Sequence, residues 1–154
     1  MDANADARIT HSDAVSDRTL CQIVDTLLGP DGPEARFSAE VDDRRVEYDA
    51  IVEMLLTQVT EGVSRERAEA VARAVASGCL GEQHLWRDLQ LPTRAALRAL
   101  LETYFEPFAA DNVMDMRWKK YIYRKLCRWG GFHTCKAPSC GVCSSYAECF
   151  GTES

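Results

Sequence analysis

Lysine is absent from the first 118 residues of this chain, and histidine occurs only three times in its 154 residues. Aromatic residues make up 8%. No apolar run approaches the roughly 20 residues that a membrane-spanning helix needs. The first residues, Met1-Asp2-Ala3-Asn4-Ala5-Asp6, are acidic and polar. They lack the basic start and apolar stretch of a secretory signal. A cytoplasmic protein with no membrane association is therefore expected, in a compartment where thiols stay reduced. Also missing are a phosphate-binding glycine loop, a dinucleotide fingerprint and any nucleophile–base motif. Ser144 and Ser145 near Glu148 read as loop residues. The expectation is a protein that is not an enzyme, with catalysis in metal processing as the open alternative.

What is present is distributed unevenly. Net charge is −6 overall. Residues 1–50 carry 12 acids and 5 bases, residues 51–116 carry 10 and 6, and residues 117–154 carry 2 and 7. All four lysines, Lys119, Lys120, Lys125 and Lys136, fall in that last segment. A basic end on an acidic body suits an anionic ligand or partner.

The periodicity is helical throughout, and the fold class expected is all-α: a compact bundle of about five to six helices followed by an irregular, cysteine-rich C-terminal loop. Residues 1–16 show no apolar period and read as a disordered lead-in. Ser16 can cap a helix carrying Leu20, Ile23, Val24, Leu27 and Leu28 at helical spacing. Gly29-Pro30-Asp31-Gly32-Pro33 ends it. Tyr48, Ile51, Val52, Leu55, Leu56 and Val59 form a second stripe, stopped near Gly62. Ser64 can cap a third, with Ala68, Val71, Ala72 and Val75 inward and Gly78 as its stop. Leu85, Trp86, Leu89 and Leu91 cluster before Pro92. Thr93 can cap a fourth, bearing Leu97, Leu100, Leu101, Tyr104 and Phe105, and Pro107 marks a break. The last helix is expected from about Asn112 to Cys127, with Trp118, Ile122, Leu126 and Trp129 on one side and Arg117, Lys120, Arg124 and Arg128 on another. The helical domain so read covers 17–129.

Residues 130–154 have no periodicity and too few apolar side chains to order themselves. They hold Cys135, Cys140, Cys143 and Cys149, four thiols within 15 residues. A metal centre would supply the missing order. The C-x2-C step turns the chain so that two sulfurs face one centre, and the longer arms reach its other corners. Zinc is the plainer alternative, but four-cysteine zinc sites favour two close pairs separated by an insert, and only one close pair exists here. C-x4-C-x2-C spacing also occurs in plant-type iron–sulfur proteins. An iron–sulfur cluster is favoured over zinc, and disulfides come third. Cys21 and Cys79 read as small buried apolar residues. Cys127 and His133 are candidate auxiliary ligands, with a helix-end packing residue and an uninvolved loop histidine as their plainer readings. His84 reads as a packed or solvent-bridging residue before a helix, and His11 carries no signal. Arg117, Lys119, Lys120, Arg124, Arg128 and Lys136 are the candidate oxyanion- or partner-binding residues, although a charged helix face is most often solvation alone.

The stretch Arg117-Trp118-Lys119-Lys120-Tyr121-Ile122-Tyr123-Arg124, then Leu126-Cys127, then Cys135-Lys136-Ala137-Pro138-Ser139-Cys140-Gly141-Val142-Cys143, Tyr146 and Cys149-Phe150-Gly151 resembles the NifQ family. His84-Leu85-Trp86-Arg87-Asp88-Leu89 is also similar. The likeness covers residues 80–151, about half the chain, with no departure in cysteine spacing. It implies a part in nitrogen fixation: an iron–sulfur cluster, of 4Fe-4S or 3Fe-4S type, that takes up molybdenum and passes it to assembly of the nitrogenase iron–molybdenum cofactor. The implied cluster ligands are Cys135, Cys140, Cys143 and Cys149. The implied partners are the nitrogenase iron protein and the cofactor-assembly scaffold complex, with molybdate as the ligand. Two other readings stand beside it. One is a DNA-binding protein with a structural cluster or zinc, against which stand the missing helix–hairpin–helix turn and the overall acidity. The other is a simple iron–sulfur electron carrier.

Overall fold

The computed structural model describes residues 15–130. Residues 1–14 and 131–154 lie outside that range, as does the side chain of Trp129. Most of the expected lead-in and the whole cysteine-rich segment beyond Gly130 therefore fall outside it. Among the described residues there are nine helices and no strand, as the periodicity requires.

Five of these helices are long: α1 (Asp17–Leu27), α4 (Arg45–Leu56), α5 (Arg65–Cys79), α7 (Arg94–Tyr104) and α9 (Trp118–Gly130). Four are short: α2 (Pro33–Arg36), α3 (Ser38–Asp43), α6 (Leu85–Asp88) and α8 (Glu106–Ala110). The short helices account for the difference from five to six. A single turn is too brief to show a 3.6-residue period.

The three expected caps are all made. Ser16 Oγ accepts from Thr19 N–H at 3.1 Å, Ser64 Oγ from Arg67 N–H at 3.2 Å and Thr93 Oγ1 from Ala96 N–H at 3.1 Å. Each satisfies an amide that the first helical turn cannot pair. Pro33 does not merely end the first helix; it opens α2, where its missing N–H costs nothing. Likewise Phe105 leaves helical geometry and Pro107 sits in the first turn of α8.

Helix α5 is the hub, in contact with α1, α2, α3, α4 and α6. Its small residues explain this. Ala68, Val71, Ala72, Ala74, Val75, Ala76, Ser77, Gly78 and Cys79 are all buried, so neighbours approach from several sides. At Gly78 a Cβ would lie 2.5 Å from Leu89, so the glycine is what lets α6 close onto α5. Ile51, Leu55, Leu97, Leu100, Leu101, Phe105, Phe108, Trp118, Ile122 and Leu126 complete one continuous core. Among the described residues, no helix is long and apolar enough to cross a membrane.

The last helix starts later than its period suggests. Asn112 is buried; its side-chain amide donates to Met116 O and its carbonyl accepts from Met116 N–H, both at 2.9 Å. Asp115 takes a left-handed backbone with φ 54°. These interactions fold 111–116 into a tight loop, and α9 begins only at Trp118.

Candidate metal centre and the helix that leads to it

Cys135, Cys140, Cys143, Cys149, His133 and Lys136 lie outside the described residues. What is described is the helix that leads to them. One side of α9 buries Trp118, Tyr121, Ile122 and Leu126. Trp118 stands edge-on to Tyr121, at 5.6 Å between ring centroids, and the guanidinium of Arg98 lies 5.4 Å from the Trp118 ring. Tyr121 Oη donates to Phe108 O at 2.6 Å.

The six basic residues of Arg117–Arg128 divide into two sets. Lys119 and Lys125 flank the buried ridge and reach back to the body. Lys119 Nζ donates to Asp88 Oδ2 at 2.5 Å and to Gly81 O at 2.8 Å. Lys125 Nζ pairs with the Asp111 carboxylate. Arg117, Lys120, Arg124 and Arg128 fall on the opposite side; Lys120 and Arg128 are exposed, and Arg117 and Arg124 are half-buried. Cys127 is half-buried at the edge of this outward arc, between Tyr123 and Lys120 when viewed down the axis. The expected oxyanion face thus keeps Arg117, Lys120, Arg124 and Arg128 together, while Lys119 is turned into an internal ion pair.

Asp88 gained no role from the sequence, although it sits in the His84–Leu89 stretch. Its side chain is only 6% exposed. Besides Lys119, its Oδ2 accepts from Gln83 N–H at 3.1 Å. Gly81 makes room for it: a Cβ there would lie 2.5 Å from the Asp88 carboxylate. His84 starts the turn, its carbonyl accepting from the amides of Arg87 and Asp88.

A second polar knot ties α9 to α4. Arg44 grips Glu47 through NH2 at 2.6 Å, donates to Leu80 O at 3.3 Å and reaches Tyr123 Oη at 3.4 Å. Burial, with the Cys79 thiol and Glu47 close by, pushes the Tyr123 phenol well above its ordinary range. Cys79 is fully enclosed, as expected, and burial drives its thiol up to about 12. It is no nucleophile at neutral pH. Cys21, expected to be buried, is instead exposed on the outer side of α1. Among the described residues, no group of three His, Cys, Asp or Glu side chains is placed to hold a metal.

The family model for NifQ matches residues 5–151, a span that includes all four C-terminal cysteines. The chain belongs to the NifQ family. Its NifQ relatives include "Protein NifQ" of Azotobacter vinelandii, 49% identical over 83 residues, which cover 54% of this chain and 43% of that protein. The "Protein NifQ homolog" of Sinorhizobium fredii is 47% identical over 81 residues, 53% of this chain and 35% of that protein. "Protein NifQ" of Klebsiella pneumoniae is 33% identical over 134 residues, 86% of this chain and 78% of that protein. The matched region thus spans less than half the length of the first two of these NifQ proteins. No solved structure matches the chain.

Proposed function

We propose that this NifQ-family chain is a molybdenum carrier that donates its metal to assembly of the nitrogenase iron–molybdenum cofactor. In this reading, Cys135, Cys140, Cys143 and Cys149 hold an iron–sulfur cluster of 4Fe-4S or 3Fe-4S type, and molybdenum is the cargo. The observation that carries it is the thiol quartet lying wholly inside the family match. Its chemistry suits the task. Thiolates are soft donors that favour iron–sulfur clusters. Four of them bring negative charge, which the basic face of α9, Lys120 with Arg117, Arg124 and Arg128, helps to offset. Molybdate is a small oxyanion, and the outward stripe of Arg117, Lys120, Arg124 and Arg128 supports its capture by charge. Cys127 at the edge of that stripe is the candidate for a transient molybdenum ligand, with His133 as its counterpart before the first cysteine. The chain acts as a donor, not an enzyme, and its partners are the nitrogenase iron protein and the cofactor-assembly scaffold.

The test is replacement of each of the four cysteines by serine, with iron, sulfide and molybdenum measured after anaerobic reconstitution. Each replacement is expected to abolish or sharply reduce all three. Full metal content in the serine variants would refute the proposal. Cys127→Ala and His133→Ala are expected to retain iron and lose molybdenum.

A further inference from the structure

An apolar ridge fixes which face of a helix is buried, but non-directional burial leaves small adjustments of roll open, because neighbouring ridges offer alternative fits. Helix α9 has more than a ridge. Lys119 and Lys125 lie about 60° to either side of the Trp118–Ile122–Leu126 line. Each is tied to a different wall: Lys119 to Asp88 on α6 and to the Gly81 carbonyl, Lys125 to Asp111 after α8. The Lys119 side is built in detail. Asp88 is buried, Gln83 N–H gives it a second donor, and the position facing its carboxylate has no Cβ. A buried ion pair is poor evidence for added stability, since taking two charges out of water offsets much of their attraction. Such a pair does discriminate between arrangements, because its hydrogen bonds survive in only one.

We infer that Asp88 and Lys119 are positioning residues that set the roll of α9, and with it the direction in which Lys120, Arg124, Cys127 and Arg128 face as the chain enters the thiol quartet. The inference rests on the proposed function for its consequence: with the roll released, molybdenum uptake falls while the cluster ligands remain intact.

The experiment compares the wild-type chain with the neutral pair Asp88→Asn/Lys119→Met, which keeps shape and the acceptor for Gln83, and with Lys119→Arg, which keeps the charge. Three quantities are read: iron and sulfide per chain, molybdenum per iron after anaerobic loading with molybdate and reductant, and acetylation of individual lysines by mass spectrometry. In the wild type, Lys120 is expected to label quickly and Lys125 slowly. In the neutral pair, Lys125 labelling rises toward that of Lys120, iron and sulfide stay at wild-type levels, and molybdenum per iron falls about fivefold or more. Lys119→Arg restores both readouts. An unchanged lysine footprint, or wild-type molybdenum loading in the neutral pair, overturns the inference. Loss of iron along with molybdenum also overturns it, because the pair would then serve stability alone. If the wild type takes up no molybdenum yet the footprint shifts, the carrier reading fails while the control of α9 stands.

Discussion

Helices α5 and α9 are held in different ways. From Ala68 onward α5 is surrounded by neighbours on most sides, and small apolar side chains do almost all of its packing. Helix α9 buries one ridge and secures its edges with Lys119–Asp88, Lys125–Asp111, Tyr121–Phe108 and the Arg44–Tyr123 contact. The difference separates two jobs. The centre needs only to exclude water, which shape and volume achieve. A helix that leads into a binding segment also needs a precise orientation, which directional bonds sharpen beyond what packing sets.

The contrast breaks most severely at the hub. Val71→Asp places an unpaired charge at a position with no exposure, and a loss on the order of 5 kcal/mol is expected in urea unfolding. A smaller loss is expected at the edge of α9. Gly81→Ala drives a methyl group into the Asp88 carboxylate and disturbs the pair with Lys119. Because the Lys119 side chain is 19% exposed, the buried-pair penalty is discounted to roughly 2 kcal/mol. If Gly81→Ala proved as stable as wild type, the pair would not depend on that close approach. Gln90 adopts φ 60° in the turn after α6. Gln90→Gly removes the left-handed strain and is expected to stabilise the fold by about 1 kcal/mol, seen as a raised melting temperature.

The smallest effect is electrostatic and confined to acid. At Asp115, burial by itself would raise the carboxyl, but hydrogen bonds from Arg94 and Arg98 outweigh it and hold the group below its ordinary 3.8. Lys125 does the same for Asp111. A carboxyl depressed in the folded state stabilises above its unfolded value, and that contribution is lost as pH falls through the folded value. The wild type should therefore lose stability more steeply below about pH 4 than Asp115→Asn does. Asparagine tolerates the left-handed backbone at this position, so the comparison isolates charge. Parallel curves would mean that the Asp115 clamp contributes nothing to the entry of α9.

The sequence discloses the two helices unequally for the same reason. Apolar spacing in Ala68, Val71, Ala72 and Val75 identifies the buried side of α5, and Ser64 marks its start, because both signals are local. The caps at Ser16 and Thr93 are legible in the same way. The start of α9 is not: the turn depends on Asn112 bonding to Met116 and on Asp115 meeting two arginines of α7. Lys119 reads as one more surface cation until the fold brings Asp88, 31 residues earlier, against it. Asp88 itself lies in a stretch that resembles the family, but burial of a carboxylate is a tertiary property. One-turn helices such as α2 and α6 leave no period to detect. The proposed cysteine quartet rests on the sequence alone, since residue type and separation are written along the chain and its residues lie outside the described range.

In the proposed function this quartet binds a cluster able to carry molybdenum. The most direct measurement is anaerobic purification of the full chain from cells grown with molybdate, with iron, acid-labile sulfide, molybdenum and zinc determined on the same sample and paramagnetic resonance recorded beside them. The expected result is a coloured protein containing iron and sulfide in comparable amounts, with molybdenum present and zinc absent. A colourless, zinc-filled protein would contradict it, and iron and sulfide without molybdenum under any loading condition would reduce the chain to an electron carrier.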